Sequence, residues 1–383
     1  MDFSFTDEQR MLYDQISRFA SSELNSTEAE SGSEHEFPHA RWLKCGEMGL
    51  QGLPVPEELG GVGLDPVSTA VALEALGYGC RDGGLVFAVC AHLLACVIPV
   101  WKHGSPALQE RYLPDLCVGN KICVNGMTEP GTGSDAFSMK TRAVPKGDGF
   151  VINGSKTFSS NGPVADVAVL YAATDPDKGY HGGVTAFLID KDTPGFSSGQ
   201  KFQKMGLHSC PIGELVMEDV YVPAEAVLGD VGGGAAIFTE SMDWERACLI
   251  AAHVGTIEWL LKQAIEYART RKQGPDTISK FQAVAHRLVD VKVRLEASRL
   301  LTYKAAAGLS RPRTASMNAS IAKLFVSESL LTSAIDTLRT FGGYGLMADY
   351  GIESVIRDGA AGIIYSGTSD IQRNIVARWL GLL

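Results

Sequence analysis

Glu245 lies in Ser241-Met-Asp-Trp-Glu-Arg-Ala-Cys-Leu249, at the head of the apolar run Ala247 to Ala252. Unpaired acids are rarely buried, so a carboxylate at that place needs a partner or a task. Apolar surroundings raise a carboxyl pKa towards neutrality, the condition a general base requires. A surface pair of Glu245 with Arg246 or a lysine is the structural alternative. A second stretch with chemical content is Met127-Thr-Glu-Pro-Gly-Thr-Gly-Ser-Asp135. Gly131 and Gly133 let the backbone approach a ligand closely, and the neighbouring N–H groups and hydroxyls suit an anionic phosphate. A run of this composition is equally often a plain turn. It leads into a β region, not from a strand into a helix, so the dinucleotide-binding fingerprint does not apply.

The elements that must position these residues follow a helix, sheet, helix order. Thr6 and Gln9 form a capping box ahead of Leu12, Ile16 and Phe19, which recur on one helical face. Trp42 to Leu50, Val67 to Leu76 and Gly84 to Trp101 are further helical stretches, the last almost wholly apolar and therefore buried. Val151 to Ile152, Val167 to Tyr171, Val184 to Ile189 and Leu215 to Val222 are short β-branched runs parted by Gly, Pro, Asn and Asp. Ile237–Thr270, Phe281–Gly308 and Ala315–Phe341 return to helical periodicity. The expected architecture is α+β: an N-terminal helical domain over 1–122, a middle β-barrel or sandwich domain over 123–230, and a C-terminal four-helix bundle over 231–383.

Composition narrows the function classes. The 383 residues carry a formal net charge of -10, which argues against a nucleic-acid partner that would need a basic face. The apolar stretch Gly83 to Val100 is broken by His92 and small residues, short of the roughly 18 uninterrupted residues of a membrane span. The N-terminus Met1-Asp-Phe-Ser-Phe-Thr-Asp-Glu lacks the basic and apolar regions of a signal peptide, so the expected location is the cytoplasm. The eight cysteines are dispersed, without metal-binding spacing, and Cys90, Cys96, Cys123 and Cys248 stand among apolar neighbours as buried thiols. No metal is expected.

Several motifs together resemble the acyl-CoA dehydrogenase family over Phe5 to Leu380. Met127–Asp135 is similar to its flavin loop, and Lys156-Thr-Phe-Ser-Ser-Asn-Gly162 to the segment whose aromatic packs on the isoalloxazine. Met205-Gly-Leu-His-Ser-Cys-Pro211 and Val220-Tyr-Val-Pro223 resemble the end of the same domain. Arg271-Lys-Gln273, Phe281-Gln282, Phe341-Gly-Gly343, Arg357-Asp358 and Gly367-Thr-Ser-Asp-Ile-Gln372 complete the pattern in family order. The resemblance implies FAD as cofactor, with Met127 and Thr128 at the flavin ring, Gly133 and Ser134 at the pyrophosphate, and Phe158 and Ser160 covering the ring. It further implies that a neighbouring subunit completes the site through Arg271, Gln282, Arg339 and Gly343, in a homotetramer. Thr368, Ser369 and Asp370 are implied near the adenosine half.

Three departures from the family pattern bear on the chemistry. Gly274 and Pro275 stand where an aromatic is usual after Arg-Lys, so one flavin or adenine contact is lost or supplied elsewhere. Arg339 replaces a glutamine, offering a guanidinium to a pyrophosphate or an inter-helix salt bridge. Most relatives carry their catalytic glutamate just before Gly-Thr, whereas this chain reads Tyr365-Ser366-Gly367-Thr368. Serine is no general base unaided. A minority of the family holds the glutamate on an earlier helix, and Ser241–Leu249 resembles that minority, with Glu245 as the base and Asp243 and Arg246 in support.

The implied reaction is α,β-dehydrogenation of an acyl thioester. Trp244–Leu249, Ser366–Asp370 and Gly84-Leu-Val-Phe-Ala88 most resemble a sub-branch acting on acyl or aminoacyl groups held on carrier proteins in natural-product pathways, prolyl to pyrrolyl among them. A short- or branched-chain acyl-CoA dehydrogenase of catabolism is the alternative, and a flavin-bound partner without catalysis is the alternative of another class. The implied partners are an acyl or peptidyl carrier protein or a CoA thioester, and an electron-transfer flavoprotein or oxygen as acceptor. Lys292, Arg294, Arg299 and Lys304 read either as a docking patch or as a solvated helix face. His92 reads either as a substrate contact or as a satisfied core histidine.

Overall fold

The computed structural model describes residues 4–25 and 36–383. The N-terminal part comprises α1 (Asp7–Glu23), α2 (His39–Glu47), α3 (Pro66–Gly79), α4 (Gly83–His92), α5 (Ile98–His103) and α6 (Pro106–Cys117). The capping box of α1 forms as expected, Thr6 Oγ1 accepting from Gln9 N while Thr6 N donates to Gln9 Oε1. A single π turn, Leu93–Val97, joins α4 to α5.

The helical run Gly83–His103 corrects one sequence argument. It has 21 residues and a mean hydropathy of 2.2, enough to cross a bilayer by length and composition, and His92 does not interrupt it. Its apolar window is instead 94% buried inside the protein. His92 is fully buried, with Nδ1 accepting from Cys123 N and Nε2 donating to Leu116 O, both at 3.0 Å. Those two bonds fix the tautomer, and burial lowers the ring pKa to about 4. His92 is therefore a satisfied core histidine and not a substrate contact.

The middle part holds β1 (Cys123–Gly126), β2 (Arg142–Lys146), β3 (Gly149–Ser160), β4 (Val167–Ala173), β5 (Val184–Asp190), β6 (Phe196–Lys201), β7 (Ile212–Pro223) and β8 (Val227–Leu228). The strands form one mixed sheet in the order β6-β7-β3-β2-β4-β5-β8, with β1 parallel to β4. Every residue of β4 is buried, and they alternate between two cores. Val167, Val169 and Tyr171 face the core shared with the helices, while Ala168, Leu170 and Ala172 face a second core within the sheet domain. Burial on both faces explains the unbroken apolar run.

The C-terminal part is built on α7 (Gly234–Thr270), then a two-stranded hairpin of β9 (Lys272–Gln273) and β10 (Asp276–Thr277), then α8 (Gln282–Gly308), α9 (Pro312–Phe341), α10 (Ile352–Gly362) and α11 (Ser369–Trp379). Gly274 has φ +67 and, with Pro275, forms the hairpin's two-residue turn. α3 crosses α7 closely because each presents a glycine to the other's backbone. A Cβ on Gly77 would lie 2.0 Å from Ala252 O, and one on Gly255 would lie 2.0 Å from Glu74 O. These contacts fix where α7, and hence Glu245, sits. All eight cysteines are free and buried, as their apolar neighbours suggested.

Candidate active site

Glu245 lies on the fourth turn of α7 and is 6% exposed. Its Oε1 accepts a hydrogen bond from Ser366 Oγ at 2.5 Å. Burial raises the Glu245 pKa, and Ser366, Arg246 and Lys323 oppose that rise without cancelling it. No ion pair to Arg246 or a lysine forms; Arg246 instead donates from Nε to Ser366 O at 2.9 Å and stands 3.9 Å from Asp243. Burial lifts the Asp243 carboxyl to about 6, against the pull of Arg246. Lys323, 1% exposed, donates to Gly367 O at 2.8 Å, and burial lowers its pKa to about 8. The surface-pair reading of Glu245 is excluded by this geometry.

A cavity of about 60 Å³ begins one helical turn along α7 from Glu245, at Leu249. Phe87 and Tyr365 form one wall, with ring centroids 4.6 Å apart. Tyr365 Oη and His253 Nε2 are 2.7 Å apart. Arg81 closes another part of the lining, its guanidinium stacked 4.1 Å over Trp259. Cys90 and Asp358 also line it, but Asp358 is occupied elsewhere: its Oδ1 accepts from Leu207 N at 2.6 Å, tying α10 to the loop after β6.

The residues expected at the cofactor fall in three places. Met127, Thr128, Gly133, Ser134, Phe158 and Ser160 belong to the β1–β2 loop and the end of β3, which are joined by Thr157 N donating to Thr128 O at 2.8 Å. A buried ion pair underlies this loop. Lys156 Nζ lies 2.9 Å from Glu129 Oε1 and 3.1 Å from Met127 O, and Glu129 also accepts from the N–H groups of Lys140 and Thr141. Gly131 and Gly133 have open space where a Cβ would stand. Phe158 is 66% exposed at φ +54, on a bulge of β3 against β7. An exposed aromatic held in the left-handed region beside an open glycine loop fits a planar, phosphate-bearing cofactor such as FAD.

Arg271, Arg339 and Gly343 line a separate open groove of about 490 Å³ between the end of α7 and the α9–α10 connection, to which the 127–160 segment contributes nothing. Arg339 is largely exposed and only 3.4 Å from Asp336 on its own helix, so it is not tied into an inter-helix bridge. Gln282 is the exposed first residue of α8. The third group flanks the Ser366–Gly367 turn. Thr368 caps α11 by accepting from Ile371 N at 3.2 Å, the Ser369 side chain is buried, and Asp370 is exposed beside Arg373.

Sequence reasoning missed the Lys156–Glu129 pair and the bond from Ser366 to Glu245. A lysine within the strand Gly149–Ser160 was the available signal for the first; residue identities gave none for the second. Two members of the suspected docking patch are half-buried and tied to other helices. Arg299 bonds Glu74 and Glu258 at 2.6 Å, and Arg294 bonds Ser333 and Asp336. Lys292 pairs with Glu296 on its own helix.

Known proteins agree with this architecture. The family models for the acyl-CoA dehydrogenase N-terminal, middle and C-terminal domains match residues 6–120, 125–220 and 232–381. An L-prolyl-[peptidyl-carrier protein] dehydrogenase of Pseudomonas fluorescens is 42% identical, covering 100% of both chains. The solved structure of PigA with FAD and proline superposes with a TM-score of 0.97 at 40% identity over 100% of both chains. That of the prolyl acyl carrier protein oxidase AnaB gives 0.96 at 41% identity, over 99% of this chain and 100% of that one. With its three domains matched in order and full-length relatives at about 40% identity, this chain belongs to the acyl-CoA dehydrogenase family and is an FAD-dependent oxidoreductase.

Proposed function

We propose that the protein oxidises the α,β-carbons of a small aminoacyl thioester, prolyl foremost, carried on a peptidyl carrier protein, with Glu245 as the base. The observation that carries this reading is Glu245 itself: a buried carboxylate of raised pKa, one turn from the pocket residue Leu249, where Ser366 holds the position of the usual acid. A thioester carbonyl acidifies its α-hydrogen, and Glu245 accepts that proton as a hydride departs from the β-carbon. FAD, when bound, supplies the hydride acceptor. Phe87, Leu249 and Tyr365 shape the acyl end and exclude water, and Arg81 over Trp259 limits its depth. A short pocket with a Tyr–His pair in its wall suits a small polar acyl group better than a long alkyl chain. The proline-linked relatives support the same choice.

Met127, Thr128, Gly133, Ser134, Phe158 and Ser160 are the residues of one subunit that would hold FAD. The groove of Arg271, Arg339 and Gly343 is read as the contribution of a neighbouring subunit in a cytoplasmic homotetramer, with Gln282 beside it and Thr368–Asp370 near the adenosine. Val289, Val293 and Leu300 support assembly, for they leave an apolar stripe on α8 exposed. The domain limits at about 122 and 230 belong to the same reading, since helices end at Cys117 and resume at Gly234. Intact-mass analysis of an L-prolyl-loaded carrier protein, incubated with enzyme and an electron acceptor, tests the function. Loss of two hydrogens per round is expected. An unchanged carrier, with butyryl-CoA oxidised in parallel, would move the assignment to acyl-CoA chemistry. Peroxide formed in air would name oxygen as the acceptor.

A further inference from the structure

We propose that Ser366 is a positioning residue for Glu245, its hydroxyl holding one carboxylate oxygen so that the other is presented to the substrate's α-hydrogen. The proposal rests on Glu245 being the base. Its basis is the geometry of the turn between α10 and α11. Ser366 has φ +54, a conformation that costs a non-glycine residue energy and persists only where the surroundings impose it. Here three buried donors impose it. Arg246 Nε and Gln372 Nε2 bond Ser366 O at 2.9 and 3.1 Å. Gln372 Nε2 and Lys323 Nζ each bond Gly367 O at 2.8 Å. The turn is thus anchored from α7, α9 and α11 through its carbonyls alone. The serine side chain takes no part in that anchoring and is committed to Glu245 Oε1.

A carboxylate has two oxygens, and abstraction of a proton needs one of them free and aimed. A hydroxyl donor satisfies one oxygen, restricts rotation of the carboxylate, and favours its charged form. An arginine or lysine bonded there would do so more strongly and leave a base too weak. Arg246 and Lys323 are close enough to be felt, yet both spend their donors on the turn's carbonyls. The other ionisable groups facing Glu245 are Cys90 on α4, Cys96 in the π turn, Tyr171 on β4 and Tyr365, all neutral at physiological pH because burial raises each of them. Ser366 is therefore the single direct hydrogen-bond donor to Glu245 among the described residues.

Because the turn is anchored by its backbone, Ser366→Gly removes the hydroxyl and suits φ > 0, so the fold is kept. Ser366→Asn returns a donor on a residue that tolerates the left-handed region. The Glu245 carboxyl is followed by difference infrared titration of the FAD-loaded enzyme against Glu245→Gln, which needs no substrate. The midpoint should rise by about one pH unit in Ser366→Gly, the size expected for losing a hydrogen bond to a charged group, and return towards the parent in Ser366→Asn. In stopped-flow reduction by L-prolyl-loaded carrier protein, the acid limb of the rate profile should move up with it, about tenfold slower along that limb. An unmoved midpoint in Ser366→Gly, or a Ser366→Asn midpoint as displaced as that of Ser366→Gly, overturns the proposal. A merely structural role would slow all pH values alike and leave the midpoint in place. If the prolyl thioester fails to reduce the parent while the infrared midpoint still moves, the substrate reading falls and the positioning role stands.

Discussion

Glu129 and Glu245 are both buried carboxylates beside a buried cation, and they are pushed in opposite directions. At Glu129, burial raises the pKa, but Lys156 and the N–H groups of Lys140 and Thr141 outweigh it and hold the carboxyl below its usual range. At Glu245, burial wins and the pKa stands above that range. The difference lies in where the cations direct their donors. Lys156 gives its ammonium to Glu129, whereas Arg246 and Lys323 give theirs to carbonyls of the Ser366–Gly367 turn. A carboxylate that accepts from an ammonium and two backbone N–H groups is a structural anchor. One left with a single hydroxyl donor keeps an oxygen free, as the proposed base requires.

The largest expected effect separates the two by activity. Glu245→Gln should slow flavin reduction by roughly 10²–10⁴-fold while FAD content is unchanged, as rapid-reaction absorbance would read. A parent-like rate would remove Glu245 from the chemistry. Next in size, Lys156→Met leaves Glu129 buried without its cation and should destabilise the protein by about 3–5 kcal/mol, with loss of FAD, in denaturant unfolding. Adding Glu129→Gln should recover part of that loss.

The pH dependence of stability sharpens the contrast. Glu245 has a folded pKa raised above its unfolded value, so between those two values the folded state binds the proton more tightly and stability falls as pH rises. Glu245→Gln removes that fall, and its stability relative to the parent should therefore improve from acidic to neutral pH. Glu129 has a depressed folded pKa, so its contribution is present above the unfolded value and is lost as pH falls through the folded one. Glu129→Gln should therefore cost more at neutral than at acid pH, in denaturation midpoints measured at both. The smallest effect concerns the open groove. Arg339→Ala breaks only a long same-helix contact to Asp336, which keeps its closer bond to Arg294, and should change stability by no more than about 0.5 kcal/mol, while FAD dissociates several-fold faster. FAD release at the parent rate would take Arg339 out of the cofactor site.

What residue order alone determined was substantial. The apolar periods marked α1, α3, α7, α8 and α9 and the strands β3, β4, β5 and β7, because each period reflects a face that the element must bury. Motif resemblance offered Met127–Asp135 as the candidate cofactor loop and directed attention from Ser366 to Glu245. Tertiary structure decided the rest. The parity of Phe150 and Ile152 points Phe158 inward, yet a bulge against β7 turns it out. Arg294 and Arg299 read as surface charge and became ties between helices, since only the packing of α8 on α9 and α3 supplies their carboxylates. Ser366 and Glu245 are 121 residues apart, and the bond between them exists because α7 is held against α3 by Gly77 and Gly255 while three donors fix the turn. Local patterns report which faces are buried. They do not report which polar groups meet once those faces are closed, and at this site that meeting tempers the rise that burial imposes on the Glu245 pKa.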